Sequence, residues 1–367
     1  VGILRGESAI LMFKAAIALA VGAIPEGLPA VVTITLAIGV SRMARRRAVI
    51  RKLPAVETLG STTVICSDKT GTLTENQMTV RQIASGGIIA EVTGGGYAPD
   101  GQILAEGNAV DISSNAALRE CLTAGLLCND AILVNKEGRW SVQGDPTEAA
   151  LVVAAGKSGL SRESVSQQLP RIDVVPFESE HQYMATLHDG GAGRPCIVYL
   201  KGAPEIVLQR CSEALDSAGN PVPLDREQVA ATAAQLAGQG LRVLAFARSE
   251  QPPGTRHIAH RDLRGDMTFL GLQGMIDPPR AEAIEAVAKC RAAGIRVKMI
   301  TGDHALTAAA IAKQIGIGVD SRPGDAFPPA LTGPELAACS DEKLIDVAEQ
   351  TSVFARVSPE QKLRLVE

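Results

Sequence analysis

The stretch Ile65-Cys66-Ser67-Asp68-Lys69-Thr70-Gly71-Thr72-Leu73-Thr74 decides how the rest of this sequence is read. With Thr62-Thr63-Val64 before it, an apolar, β-branched run leads into an aspartate and then into small and hydroxyl residues. Such a run is predicted to be a buried parallel strand. Ligands of open α/β sheets bind beyond the carboxyl ends of the strands, so Asp68 falls where an exposed carboxylate can act as a nucleophile. Thr70, Gly71, Thr72 and Thr74 can turn backbone and hydroxyl donors toward a phosphate. The plain role for one strand-end aspartate is an Asx-turn, and the weight of this reading comes from the whole string in order.

Composition bounds the answer. The 367 residues allow two or three domains. The chain is 46% hydrophobic but only 3% aromatic, so its core is built mostly from aliphatic side chains. A net charge of −4 implies no large basic surface, and nucleic acid is not an expected partner. The seven cysteines contain no Cys-x-x-Cys pair, so they suggest neither a cysteine zinc site nor a disulfide framework, and reduced thiols are expected.

Upstream of the central stretch, Ala15 to Val40 is apolar with Glu26 as its one charge. As a helix it would be about 39 Å long, enough to cross a bilayer. Arg42, Arg45, Arg46, Arg47, Arg51 and Lys52 follow, and positive charge of this kind marks the cytoplasmic end of a span. The expectation is an integral membrane protein in a lipid bilayer, probing the outside with residues up to about Lys14 and the cytosol with everything after Arg42. Within the span, Ile24-Pro25-Glu26-Gly27-Leu28-Pro29 breaks the helix, since each proline removes a donor and displaces the carbonyl four residues earlier. The freed carbonyl of Val21, those of Gly22 and Ile24, and the Glu26 carboxylate form an all-oxygen set suited to a hard cation. A carboxylate at mid-bilayer costs roughly 3 kcal/mol or more without such compensation.

Downstream, helices are expected at Asn115 to Leu127 and Asp225 to Ala237. Gly144-Asp145-Pro146-Thr147-Glu148 reads as a helix start with Asp145 as N-cap, Pro146 at the first position and Glu148 as the partner in a capping box. Phe177 ends a strand edge, and core packing is the ordinary fate of a phenylalanine. Lys201, after the strand Cys196 to Leu200, is on its own a solvated charge, and Gly202 permits close backbone approach. Gly240 to Ala247 is a strand carrying Arg242. A second buried strand, Ile295 to Ile300, ends at Thr301-Gly302-Asp303, with Asp303 a candidate N-cap for a helix from Ala305 to Ile315. A third, Val353 to Val357, carries Arg356 and leads into Ser358-Pro359-Glu360-Gln361-Lys362. Ser358, Pro359 and Gln361 make an N-cap, N1 and N3 set. Lys362 then sits in a first turn, where the helix dipole disfavours a cation unless an anion lies opposite.

DKTGTLT from Asp68, PEGLP from Pro25, KGAPE from Lys201, DPPR from Asp277 and TGD from Thr301 occur in the order found in P-type ATPases, and together resemble the calcium-pump-like branch of that family. The resemblance covers nearly the whole chain. Heavy-metal pumps carry Cys-Pro-Cys where this chain has Ile24-Pro25-Glu26, and simple phosphatases of related fold carry a second Asp where it has Thr70. The fold implied is α/β. A Rossmann-like, haloacid-dehalogenase-type phosphorylation domain carries an inserted α+β nucleotide-binding domain and an N-terminal transmembrane helix. The expected division is 1–52 for the membrane helix and stalk, 53–74 and 277–367 for the phosphorylation domain, and 75–276 for the insertion.

The function implied is ATP-driven cation transport, Ca2+ being favoured, through an aspartyl phosphate in what would be a bacterial plasma membrane. The alternatives are a soluble phosphohydrolase of the same fold and a nucleotide-binding module without catalysis. By the resemblance, Asp68 is the nucleophile, Lys362, Thr301 and Gly302 steady the transferred group, and Mg2+ is held by Asp68 and the Thr70 carbonyl. ATP is contacted by Glu148, Phe177, Lys201, Arg242, Asp303 and Arg356. Val21, Gly22, Ile24 and Glu26 supply half of a cation site. Where many such pumps carry Arg and Lys after the phenylalanine, this chain has Ser179, His181 and Gln182. The family's GDGxND segment, its TGE loop and most membrane helices are not in the sequence, so this chain alone is expected to bind nucleotide without turning over.

Overall fold

The computed structural model describes residues 5–6, 8–22, 27–318 and 327–366. They divide into two compact units, Val1–Ile65 and Cys66–Glu367. In the first, helices run over Ala9–Gly22 and Gly27–Arg45, and a short one follows at Pro54–Gly60. The stretch from Ala9 to Arg45 is long and apolar enough to cross a membrane, and neither of its two helices has a buried residue. The helical segment therefore begins at Ala9, six residues before the expected start at Ala15. Lys14 lies inside it, because Ile10, Leu11 and Phe13 already continue the apolar pattern. Ile24 and Glu26 lie outside the described residues, and so does the expected break at Pro25.

The chain from Val64 onward, two residues before the second unit begins, forms a mixed α/β arrangement with two main sheets. The smaller has four strands in the order Val64–Asp68, Arg296–Ile300, Val353–Ala355, Ala330–Thr332. The last three strands are parallel neighbours, Met299 beside Val353 and Ala330 beside Val353. Helices flank these strands in sequence: Ala281–Ala292 precedes Arg296, Ala305–Ile315 follows Asp303, and Pro359–Val366 ends the described chain. Met299, Ala308, Ile311, Val353 and Ala355 are buried between the layers, and Phe354 and Ile300 anchor a satellite cluster with Leu336 and Leu344.

Val64–Asp68 is an edge strand, contrary to the buried strand expected. Ile65 and Cys66 are exposed, and no described strand pairs with the outer side. An apolar run reads alike at a sheet's centre or edge, because periodicity reports side chains and not neighbours.

The larger sheet has eleven strands. Its main path runs Asn108–Ala109, Ile103–Ala105, Ile88–Val92, Thr79–Ser85, Met267–Ile276, Arg242–Gln251, Cys196–Gly202, Tyr183–His188, Arg171–Glu178. Cys211–Leu215 and Pro221–Pro223 branch from Met267–Ile276. Met267–Ile276, a central strand, is buried along its whole length. Helices Ala116–Leu127 and Pro146–Lys157 pack on this sheet and bury Leu118, Leu122, Ala150 and Leu151 with Phe246 and Tyr199. Each such leucine contributes about 2 kcal/mol by leaving water. Asn115 caps the first of these helices through Leu118 N at 2.9 Å, and Asp225 caps Arg226–Gly238 through Gln228 N at 2.9 Å.

Candidate functional site

Three strand ends of the small sheet bring the first group of residues together. Asp68 closes Val64–Asp68 in extended conformation, and the chain then turns tightly through Lys69–Leu73, with Gly71 at φ 72°. A Cβ at Gly71 would meet nothing nearer than 3.9 Å, so the turn's handedness is what calls for glycine there. Lys362 Nζ donates to Asp68 Oδ2 at 2.5 Å. The capping box that carries Lys362 is formed, with Ser358 N donating to Gln361 Oε1 at 3.0 Å and Gln361 N to Ser358 Oγ at 3.4 Å. A cation in a first helical turn thus has its anion opposite, which offsets the unfavourable dipole. The other two strand ends are stitched to each other. Thr301 N donates to Phe354 O, Val357 N to Thr301 O, and Arg356 N to Asp303 O. Arg356 takes φ 52°, unusual for a residue with a Cβ, and its side chain is exposed. Thr301 is buried with its hydroxyl oxygen accepting from Asp303 N at 3.1 Å, whereas Gly302 and Thr70 are exposed.

Asp303 is not the N-cap expected. That position belongs to His304, whose Nδ1 accepts from Leu306 N at 3.3 Å. The Asp303 carboxylate is instead engaged by Lys69, 2.7 Å away. Lys69 is 4% exposed and also lies 3.4 Å from Asp277 Oδ2. Asp277 in turn accepts from the Thr74 hydroxyl at 2.6 Å and from Gln77 N at 3.1 Å. Arg280 closes the crossing by donating to Thr74 O at 2.9 Å and Gly71 O at 3.2 Å. The point where the chain leaves the small sheet is therefore tied to the point where it returns. Sequence reasoning assigned no role to Lys69. Its position inside the DKTGTLT string was the only signal, because both of its partners lie more than two hundred residues away in sequence.

The second group lines a cavity of about 710 Å³ in the larger sheet. Glu148, Phe177, Lys201 and Arg242 all border it, with Thr147, Gly202 and Val243 among their neighbours. Phe177 is 60% exposed, so core packing does not explain it. Lys201, read alone as a solvated charge, is buried. Its ammonium donates to Glu148 Oε1 at 2.5 Å and Cys128 O at 2.6 Å. The Glu148 half of the expected capping box does not form. Asp145 caps the helix through Thr147 N and Glu148 N, but the Glu148 carboxylate turns to Lys201 and Asp130 N, since a buried ammonium outcompetes one backbone amide. Arg242 reaches Thr147 Oγ1 at 3.3 Å. A Cβ on Gly202 would stand 2.6 Å from Gln182 O, so only glycine lets these backbones approach.

The family model for the P-type ATPase cytoplasmic domain N matches residues 117–282, the part of the chain that holds this cavity. Over 99–100% of its length the chain is 55% identical to the cation-transporting ATPase pma1 of Synechocystis sp. and 41% identical to the calcium-transporting ATPase of Bacillus subtilis. It is also 41% identical to the human calcium-transporting ATPase type 2C member 1. The chain belongs to the P-type ATPases. It spans 38–40% of the length of these relatives. For a P-type ATPase chain of this extent, the described residues offer two separate chemical settings. One is a carboxylate–ammonium contact at a sheet tip, and the other is a partly apolar cavity with one aromatic face and five charged side chains, Asp145, Glu148, Lys201, Glu205 and Arg242. Of the residues expected near a cation within the membrane, Val21 and Gly22 end the helix Ala9–Gly22, while Ile24 and Glu26 fall outside the described residues.

Proposed function

We propose that this chain is the phosphorylation and nucleotide-binding part of an ATP-driven cation pump, with its first helical segment in the bilayer. Asp68 is the nucleophile. One of its carboxylate oxygens attacks the γ-phosphorus of ATP in line, the bond from that phosphorus to the bridging oxygen breaks, and ADP leaves, giving an aspartyl phosphate. The observation that carries this reading is the 2.5 Å contact of Lys362 with Asp68. That ammonium can follow the charge from the carboxylate onto the transferred group. Thr301 and Gly302, just past the end of the neighbouring strand, would steady the same group, and the exposed Arg356 would add positive charge toward the phosphates.

Asp68, half exposed, and the carbonyl of the exposed Thr70 offer hard oxygen donors that fit Mg2+. When bound, the ion would neutralise phosphate charge. In the cavity, Phe177 stacks on adenine, Glu148 and Lys201 contact the base and sugar side, and Arg242 meets the phosphate chain. The proposed architecture is a haloacid-dehalogenase-type domain, 53–74 with 277–367, split by the insertion 75–276, after a membrane helix and stalk at 1–52. Val21, Gly22, Ile24 and Glu26 would contribute oxygens to the transported cation, for which Ca2+ is favoured by the PEGLP string and by relatives named for calcium transport.

The test is labelling of membranes containing the full-length protein with γ-labelled ATP. An acid-stable, hydroxylamine-labile label that rises with Ca2+ is expected. A label indifferent to every cation tried would remove the transport reading while leaving phosphorylation intact.

A further inference from the structure

We propose that Glu178, His181 and His260 form a binding site for a zinc-class divalent transition-metal ion. One ligand atom from each lies within 4.8 Å of the other two. Two segments far apart in sequence build the site. In the turn after strand Arg171–Glu178, the carbonyl of Glu178 accepts from His181 N at 3.1 Å and Gln182 N at 2.7 Å. Gln182 closes that turn at φ 56°. The turn leaves His181 Nε2 3.8 Å from Glu178 Oε2.

His260 arrives on the short helix His260–Asp262. That segment is fixed by Asp173 accepting from Ile258 N at 3.0 Å and by Asp262 accepting from Ala259 N at 2.9 Å. The two imidazoles meet edge to face with centroids 4.0 Å apart. Beneath them the buried Tyr183 hydroxyl lies 2.6 Å from His260 Nδ1. The Tyr183 ring is itself covered by the Arg210 guanidinium at 4.4 Å. With Nδ1 occupied, Nε2 is the nitrogen His260 has left to offer. Metal-ligating histidines are commonly oriented this way, by a partner on the other ring nitrogen.

The donor set decides the class of ion. Two imidazole nitrogens and one carboxylate oxygen, with a fourth position open to water, suit zinc-class ions. Mg2+ and Ca2+ prefer all-oxygen sets. Reaching metal–ligand distances of about 2 Å requires the side chains to close in. Glu178 and His181, with side chains 54% and 32% exposed, have room to rotate. The site stands on the turn next to Phe177, but it does not depend on the nucleotide reading.

Co2+ titrated into the purified chain tests this, with visible absorption as the readout. One Co2+ per chain with the bands of four-coordinate cobalt, displaced by Zn2+, is the expected result. His181→Gln and His260→Gln should each weaken binding by roughly tenfold or more. Tyr183→Phe, which keeps all three ligands, should weaken it by about tenfold, the usual loss when a ligand's supporting hydrogen bond is removed. Thermal unfolding of the metal-free variants checks that His181→Gln folds as the parent does. Equal Co2+ affinity in the parent and both histidine variants would overturn the site. So would sulfur-to-cobalt charge-transfer bands, which would assign the ion to one of the seven free cysteines.

Discussion

Lys201 and Glu148 show how much a single buried pair carries. Their side chains are 8% and 16% exposed, so neither charge has water to fall back on. Glu148→Ala leaves the ammonium with one carbonyl and should cost about 3 kcal/mol in urea denaturation, with part of the loss recovered in Glu148→Ala/Lys201→Met. Lys362 differs, since its contact with Asp68 is partly exposed and its weight falls on chemistry. Lys362→Met should slow phosphorylation by roughly 100-fold while nucleotide affinity stays within about twofold, as measured by rapid-quench labelling and equilibrium binding. His188 gives a pH signature. Its Nδ1 faces the Leu169 carbonyl at 3.0 Å, which can only accept, so the proton sits on Nδ1, and Nε2 accepts from the Thr186 hydroxyl at 2.9 Å. Burial lowers its pKa from 6.5 to about 4. As pH falls through 6.5 the unfolded chain takes up a proton before the folded one does, so stability declines from pH 6.5 down to about 4 and then levels off. The loss from this group is about 3 kcal/mol. His188→Gln should flatten that part of the stability–pH curve.

At the scale of elements, the crossing between the two sheets is the feature most open to test. Asp277→Ala removes the acceptor of Thr74 and Gln77 and one of the two carboxylates beside Lys69, and should cost about 3 kcal/mol with increased proteolysis near Glu75. Elements whose ends rest on local chemistry were legible. The helix Ala305–Ile315 ends at Gly316 in the left-handed conformation, as its sequence announces. Ser358 caps the helix expected of it, and Asn115 and Asp225, where two further helices were expected to begin, cap them. What depends on distant partners was not legible. The edge position of Val64–Asp68 depends on which strands flank it. The turn of Glu148 away from its own helix depends on an ammonium fifty-three residues on. The displacement of Asp303 by His304 as the cap depends on Lys69 claiming the carboxylate.

Across the whole molecule, short strings in fixed order carried the family, since DKTGTLT, KGAPE, DPPR and TGD each mark a strand end, a crossing or a cavity wall. The metal-ligand cluster was invisible for the opposite reason, because Glu178 and His260 meet only through the fold. The claim on which the functional account rests is that Asp68 becomes esterified by the terminal phosphate of ATP. The direct measurement is to phosphorylate the full-length protein with ATP, reduce it with borohydride and map the product by tandem mass spectrometry. Homoserine at position 68, absent when ATP is omitted and absent in Asp68→Asn, is the predicted result. An unmodified aspartate at 68 alongside a phosphoryl group on another residue would contradict it.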